Sequence, residues 1–422
     1  MKSKKMVAST IAMLVMTCSI LSFVSCDNMN SNNNGNTQGT GGRNFGTKSG
    51  NTSLPFLTKE EIKAKFDETN PANLESLIRR GSPATIKATA WGEQNMSKLP
   101  SFESPYFAGE PRSDIMDLAL ARYNFVRRFA GLNAAVFNEQ FHREAQHAAW
   151  LCAMYQKTDR SHSITAYQKP EGVTGEMWNL AAAGLQQCLH LAPHAANSVD
   201  IYMADNKNGN LGHRVNLLTL TASQVGFGVA SANLVNKNRN DPNVITGTYG
   251  ATAFRFNWQK QPDYEDFEYD MVSWPPAGYF PAKTSLFDSG VDKARWSIYF
   301  NNNKYALQTT ADSNGVKTNV IVTKTVNGET KQVWDFAKIA SNVEAFKNKN
   351  YTLTEGESWC SITYGGTTIF YLASIKNGQE SLEQYTDGSV YTVRFENLVD
   401  KVNGGFTNLE YAVEFFDMST VQ

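Results

Sequence analysis

Residues 211–229 place the tightest constraint on the fold. Leu211-Gly-His-Arg-Val-Asn-Leu-Leu218 leads into Val225-Gly-Phe-Gly-Val229. A glycine on each side of Phe227, inside a strand-like run, means a β-bulge or another backbone too close for a side chain. Gly212 beside His213 likewise lets the backbone approach closely, so the imidazole can face an open cleft. The alternative is a loop histidine that merely satisfies a local hydrogen bond. The preceding Asp205-Asn-Lys-Asn-Gly-Asn210 lacks the alternating acids and distal Glu of a calcium loop, and reads as a solvated turn.

Helical periodicity lies upstream of this block. Thr58-Lys-Glu-Glu61 is a capping box. Ile115, Leu118, Ala119, Tyr123, Val126 and Phe129 form an apolar stripe, with Ser113 or Asp114 as cap and Gly131 as stop. A second helix is expected over 138–154, with Phe141, Ala145, Ala148, Ala149 and Cys152 on one face. His142 and His147 are five apart, not four, so they do not form a zinc-protease pair and read as ordinary helix residues. Pro193 separates His190 from His194, which read as helix-end residues. Asn197 or Ser198 caps a further helix ending at Asp205. Val225 to Leu234 and Thr246 to Asn257 alternate as strands.

Four words in this region resemble the CAP superfamily, the cysteine-rich secretory, antigen 5 and pathogenesis-related proteins with their bacterial SCP-like relatives. They are Tyr123-Asn-Phe-Val-Arg-Arg-Phe-Ala-Gly-Leu132, the Ala-Gln-His-Ala core of the second helix, Gly-His-Arg-x-Asn-Leu-Leu, and Gly-Phe-Gly-Val. The resemblance covers residues 112–260 and implies an α-β-α sandwich within an α+β chain. It also implies a cleft with two imidazoles and two acids. His162, in Arg160-Ser-His-Ser163, and Glu176, in Thr174-Gly-Glu-Met-Trp-Asn-Leu180, match two of these, although Met177 and Trp178 interrupt the usual Gly-Glu-Asn-Leu. Asp205, with Asp200 second, and His213 complete the set. His162 and His213 would be the ligands for zinc or another divalent ion, or the four groups would perform acid–base chemistry.

The chain starts with Lys2, Lys4 and Lys5, an apolar run from Met6, and Phe23-Val-Ser-Cys26. This reads as an export signal over 1–25 whose Ser25-Cys26 resembles a bacterial lipobox, implying lipidation at Cys26 and a membrane or cell-surface anchor. Residues 26–53 are rich in Asn, Gly and Ser and read as a disordered tether; 54–111 are transitional. Lys and Arg number 39 against 40 acids, and 36 against 40 without residues 1–25. That balance argues against a nucleic-acid partner. Cys152 and Cys188 fall in apolar patterns, which favours buried thiols over a disulfide.

Trp274-Pro-Pro-Ala-Gly-Tyr-Phe-Pro281 is expected to break regular structure, making 261–284 a linker. From 285 to 422 the pattern becomes short strands with turns at Asn327-Gly328 and Asp387-Gly388, read as an immunoglobulin-like β-sandwich. No Gly-x-Ser-x-Gly elbow or phosphate loop is present. The function expected is therefore a surface-anchored, non-enzymatic protein binding a lipid, a metal ion or a protein. The alternative is a peptidase-like hydrolase using the His/acid cleft.

Overall fold

The computed structural model describes residues 43–70, 96–155, 161–186, 188–190, 195–205, 211–235, 245–257, 266–287, 295–336, 338–340, 357–363, 367–372, 375–376, 379–380 and 385–422. Cys26, His194 and the loop 206–210 lie outside them, as does residue 42 and everything before it. The described chain mixes helices and sheets, an α+β fold.

The helices are α1 (Lys59–Thr69), α2 (Ser113–Phe129), α3 (Glu139–Tyr155), α4 (Gly175–Gly184), α5 (Ala195–Ala204) and α6 (Gly212–Leu217). In the first half the strands are β1 (Met96–Lys98), β2 (Glu110–Pro111), β3 (Val136–Phe137), β4 (Cys188–His190), β5 (Gln224–Val235) and β6 (Ile245–Phe256). His190 therefore lies in a strand, not at a helix end as its spacing had implied. Thr58 closes the capping box on α1, with its side chain accepting from the Glu61 amide. Helix α5 begins at Ala195, earlier than the expected caps Asn197 and Ser198.

Sheet order β3-β5-β6-β4 puts the long β5–β6 hairpin at the centre. Its two faces are written in alternate residues. Val225, Phe227, Val229, Phe254 and Phe256 join the core of α2 and α5. Ala230 and Ala253 face α3 and α4. The glycines belong to this second face. A Cβ on Gly226 would lie 2.1 Å from the His142 amide nitrogen, and one on Gly228 2.2 Å from the Ala145 carbonyl carbon. Close approach, not a bulge, is thus the reason for Gly-Phe-Gly, and the pairing with β6 runs through it without a shift. Gln146 fixes the contact by donating to the Ala108 and Val229 carbonyls and accepting from the Val229 amide. His142 adds a hydrogen bond from Nδ1 to the Phe227 carbonyl at 2.6 Å. The result is three layers, helix–sheet–helix.

The second half contains β7 (Met271–Trp274), β8 (Gly278–Pro281), β9 (Trp296–Phe300), β10 (Tyr305–Ala306), β11 (Asn319–Val326), β12 (Glu329–Phe336), β13 (Lys338–Ala340), β14 (Glu357–Thr363), β15 (Thr367–Leu372), β16 (Ile375–Lys376), β17 (Gln379–Glu380), β18 (Val390–Asp400) and β19 (Phe406–Phe416). One sheet runs β12-β11-β18-β19-β8, with β10 on β18; another runs β13-β14-β15-β9-β7. Trp296 of β9 meets Trp334, Tyr391, Tyr411 and Phe415 of the other sheet at 5.9–6.4 Å between ring centroids. Asn327 and Gly328 both have positive φ, the geometry of a two-residue hairpin.

Two expectations about boundaries need correction. Residues 261–284 are not a plain linker, because β7 and β8 are edge strands of the two sheets. Pro275 and Pro276 occupy the connection, and Pro281 ends an edge strand where a missing N–H costs little. Nor does a tether extend to residue 53. Thr47 donates to Glu410, Gly50 to Met271 and Asn51 to Gly131, all at 2.8 Å. Phe45 is buried, and Ser49 hydroxyl bonds the Ala130 carbonyl. Backbone hydrogen bonds hold this segment where its composition offered few apolar anchors. It straps the helical layers to the sheets of the second half, and Phe129 packs on Trp274 and Phe280 beside it. All described residues belong to one compact unit.

Burial raises three phenols in this core: Tyr123 to about 12, and Tyr299 and Tyr411 well above the ordinary tyrosine value. A group with a raised folded-state pKa contributes stability that is complete below its unfolded value, ~10 for tyrosine, and lost above it. Alkaline titration should therefore show phenolate absorbance of these tyrosines rising together with loss of circular dichroism. Non-cooperative ionisation of every tyrosine with the fold intact would contradict this burial.

Candidate functional site

The site is built where α5 hands over to α6. Helix α5 ends at Ala204, and Asp205 and Leu211 both take left-handed backbone, φ 40° and 49°. This turns the Asp205 carboxylate back onto the start of α6. Its Oδ2 accepts from the His213 amide at 2.9 Å and the Arg214 amide at 3.4 Å, satisfying first-turn donors that a helix leaves unpaired. Its Oδ1 accepts from His213 Nδ1 at 2.9 Å. One carboxylate thus sets both the helix start and the ring. With Nδ1 donating, Nε2 is the basic nitrogen of the imidazole. The Tyr202 ring stacks on the imidazole, centroids 4.7 Å apart and planes 22° apart. Asp205's side chain is 2% exposed and His213's 20%, so a buried acid orients an imidazole that still reaches the surface.

Arg214 points the opposite way. Its guanidinium donates to the Met203, Ala204 and Arg295 carbonyls and to the Ser297 hydroxyl. It therefore caps the last carbonyls of α5 and ties the turn to the strand β9. Burial pushes its pKa down to about 10, opposed by the Asp205 charge. The Asn216 amide donates to the Cys188 thiol at 3.6 Å, and burial raises that thiol far above its ordinary range. Cys152 and Cys188 are both buried thiols not joined in a disulfide, as their apolar patterns indicated.

Of the four expected cleft residues, the structure joins Asp205 and His213. His162 directs Nδ1 to the Leu185 carbonyl at 2.7 Å. Glu176 sits in the first turn of α4 and pairs with Arg143 of α3 at 2.6 Å, its side chain 71% exposed. Asp200, the second choice for the helix acid, instead forms a buried two-point ion pair with Arg122 at 2.8 and 3.0 Å. His147 bonds the Arg143 carbonyl one turn back in α3, and burial lowers its pKa.

His162 and His213 each turn Nδ1 to a protein oxygen, the arrangement in which a metal-bound imidazole is commonly held by its outer partner. A full ligand set is another matter. Among the described residues no three His, Cys, Asp or Glu side chains gather to hold a metal ion. Sequence reasoning overlooked the buried cations Arg122, Arg127 and Arg214. For Arg122 a signal existed: it falls seven residues after Ile115, on the apolar face of α2.

No protein-family model, curated protein or solved structure matches this chain.

Proposed function

We propose that this chain is an exported, lipid-anchored binding protein of the CAP type, which meets its ligand at His213. The observation carrying this reading is the Asp205–His213 pair, an imidazole of set tautomer held at the surface by a buried carboxylate. The three-layer arrangement around β5 and β6 supports the CAP assignment of 112–260, and the two facing sheets support an immunoglobulin-like second half. Binding ranks above hydrolysis because acid–base catalysis needs its acid and base within hydrogen-bond reach of one substrate. Glu176, the second expected acid, is engaged with Arg143 instead. The anchor is Cys26, and the ligand classes are a lipid, a protein surface or a divalent ion such as zinc.

Zinc is the ligand that can be tested first. Calorimetry on the full chain should give saturable zinc binding, weakened at least tenfold, or about 1.4 kcal/mol, in His213→Ala. Unchanged affinity in the His162→Ala/His213→Ala double variant would remove the metal and leave His213 as a contact for lipid or protein. Cys26→Ala should move the protein from the membrane to the soluble fraction. Persistent pelleting after a high-salt wash would overturn the anchor.

A further inference from the structure

A polar recess lies where the strap 43–57 passes the end of α2, and neither Asp205 nor His213 lines it. Lys48, Arg128, Asn51, Phe56, Pro276 and Tyr279 are among its lining residues, and its volume is about 30 Å³. That is room for one or two waters or the head of one small anion.

Two cations face this small space. Lys48 Nζ donates to the Thr52 and Leu54 carbonyls at 2.9 and 3.1 Å and lies 5.3 Å from the Phe56 ring centre. Arg128 donates through Nη2 to the Pro55 carbonyl at 3.1 Å. Three carbonyls thus engage part of their donor capacity; an ammonium has three N–H groups and a guanidinium five. Burial lowers the pKa of Lys48, and the Arg128 charge lowers it further. Burial also lowers Arg128, opposed by the charge of Glu61. Glu61 makes no ion pair with Arg128, and its Oε2 accepts from the Thr58 amide. Among the described residues neither cation has an acidic partner within ion-pair distance. The contrast is close by: Arg43 and Lys59 share Glu414 at 3.2 and 2.7 Å. Adjacent, partly desolvated like charges are unfavourable unless an anion joins them.

We infer that the recess between Lys48 and Arg128 binds a small oxyanion, a carboxylate or a phosphate group. Arg128 supplies a fork suited to two oxygens, Lys48 a point charge, and Phe56 and Tyr279 aromatic walls. Such an ion bridges the strap to the end of α2. This site is independent of His213.

The test is calorimetry of the full chain with inorganic phosphate and, separately, acetate at low ionic strength. Saturable one-site binding of at least one ion is expected, and the preferred ion identifies the headgroup class. Arg128→Gln should weaken it at least tenfold while leaving the circular dichroism melt close to wild type, since it removes one protein hydrogen bond. Arg128→Lys, which keeps the charge but loses the fork, should weaken it less, and His213→Ala should leave it unchanged. Lack of saturable binding for both ions overturns the proposal. So does full affinity in Arg128→Gln, or loss of affinity in His213→Ala.

Discussion

Replacing Asp200 by Ala should destabilise the protein by about 3–5 kcal/mol, the cost of leaving one member of a buried ion pair alone. Arg122 and Asp200 are 1% and 5% exposed at the side chain. Their two-point contact joins α2 to α5. Arg122 also donates to the Thr69 hydroxyl at the end of α1 and lies 4.5 Å from the Phe66 ring centre. The Ser285 hydroxyl donates to the second oxygen of Asp200, which brings in the turn before β9. Removing the carboxylate leaves a guanidinium in the core with one side-chain acceptor. Replacing both partners by apolar residues, as in Arg122→Met/Asp200→Leu, should cost less than either single change to Ala, because neither charge is then buried alone. Urea unfolding of the three variants measures this. A loss below about 1 kcal/mol for Asp200→Ala would mean that water reaches the pair.

How much of this was legible in the sequence depended on the range of the interaction. Local patterns read well. Thr58 to Glu61 gave a capping box, Asn327-Gly328 a hairpin turn, and the alternation around Trp296, Val390 and Tyr411 gave strands that the structure contains. Gly226 and Gly228 announced a close neighbour without naming it. Long-range polar contacts carried no such signal. Arg214 reaches the Arg295 carbonyl 81 positions away, and nothing local marks that target. Glu176 illustrates the same limit at the site. Its position after Gly175 was visible, but its direction depends on how α4 lies against Arg143 of α3. Composition misled twice. Residues 43–53 are polar and glycine-containing, which describes a tether, yet their amides pair with β19, β7 and the turn after α2. Prolines near Trp274 argued for a linker, yet they flank edge strands that tolerate them. Asp205 reads from the sequence as an acid on a helix; it stands just past the helix end, where left-handed backbone aims it at His213.

The other large effect is expected at the helix–sheet contact. Gly228→Ala should cost more than about 3 kcal/mol and leave little folded protein, beyond the usual range for overpacking. The reason is that the added Cβ meets backbone, not a side chain able to rotate away. It would stand 2.2 Å from the Ala145 carbonyl carbon and oxygen and 2.4 Å from the Gln146 nitrogen. Relief requires α3 to lift from β5. That motion breaks the Gln146 bonds to Val229 and the His142 bond to Phe227. It also opens the alanine face packed beneath Gly184, whose own Cβ would lie 2.0 Å from the Glu144 carbonyl oxygen. Gly226→Ala should behave alike, since its Cβ would meet the His142 nitrogen at 2.1 Å. Gly175→Ala is the internal comparison. That glycine opens α4 with nothing within 4 Å of an added Cβ, so the same substitution should be neutral or stabilise by up to about 1 kcal/mol through reduced freedom of the unfolded chain. Thermal melts of the three variants decide the point. Similar melting temperatures for Gly228→Ala and Gly175→Ala would mean that α3 does not rest on the backbone of β5.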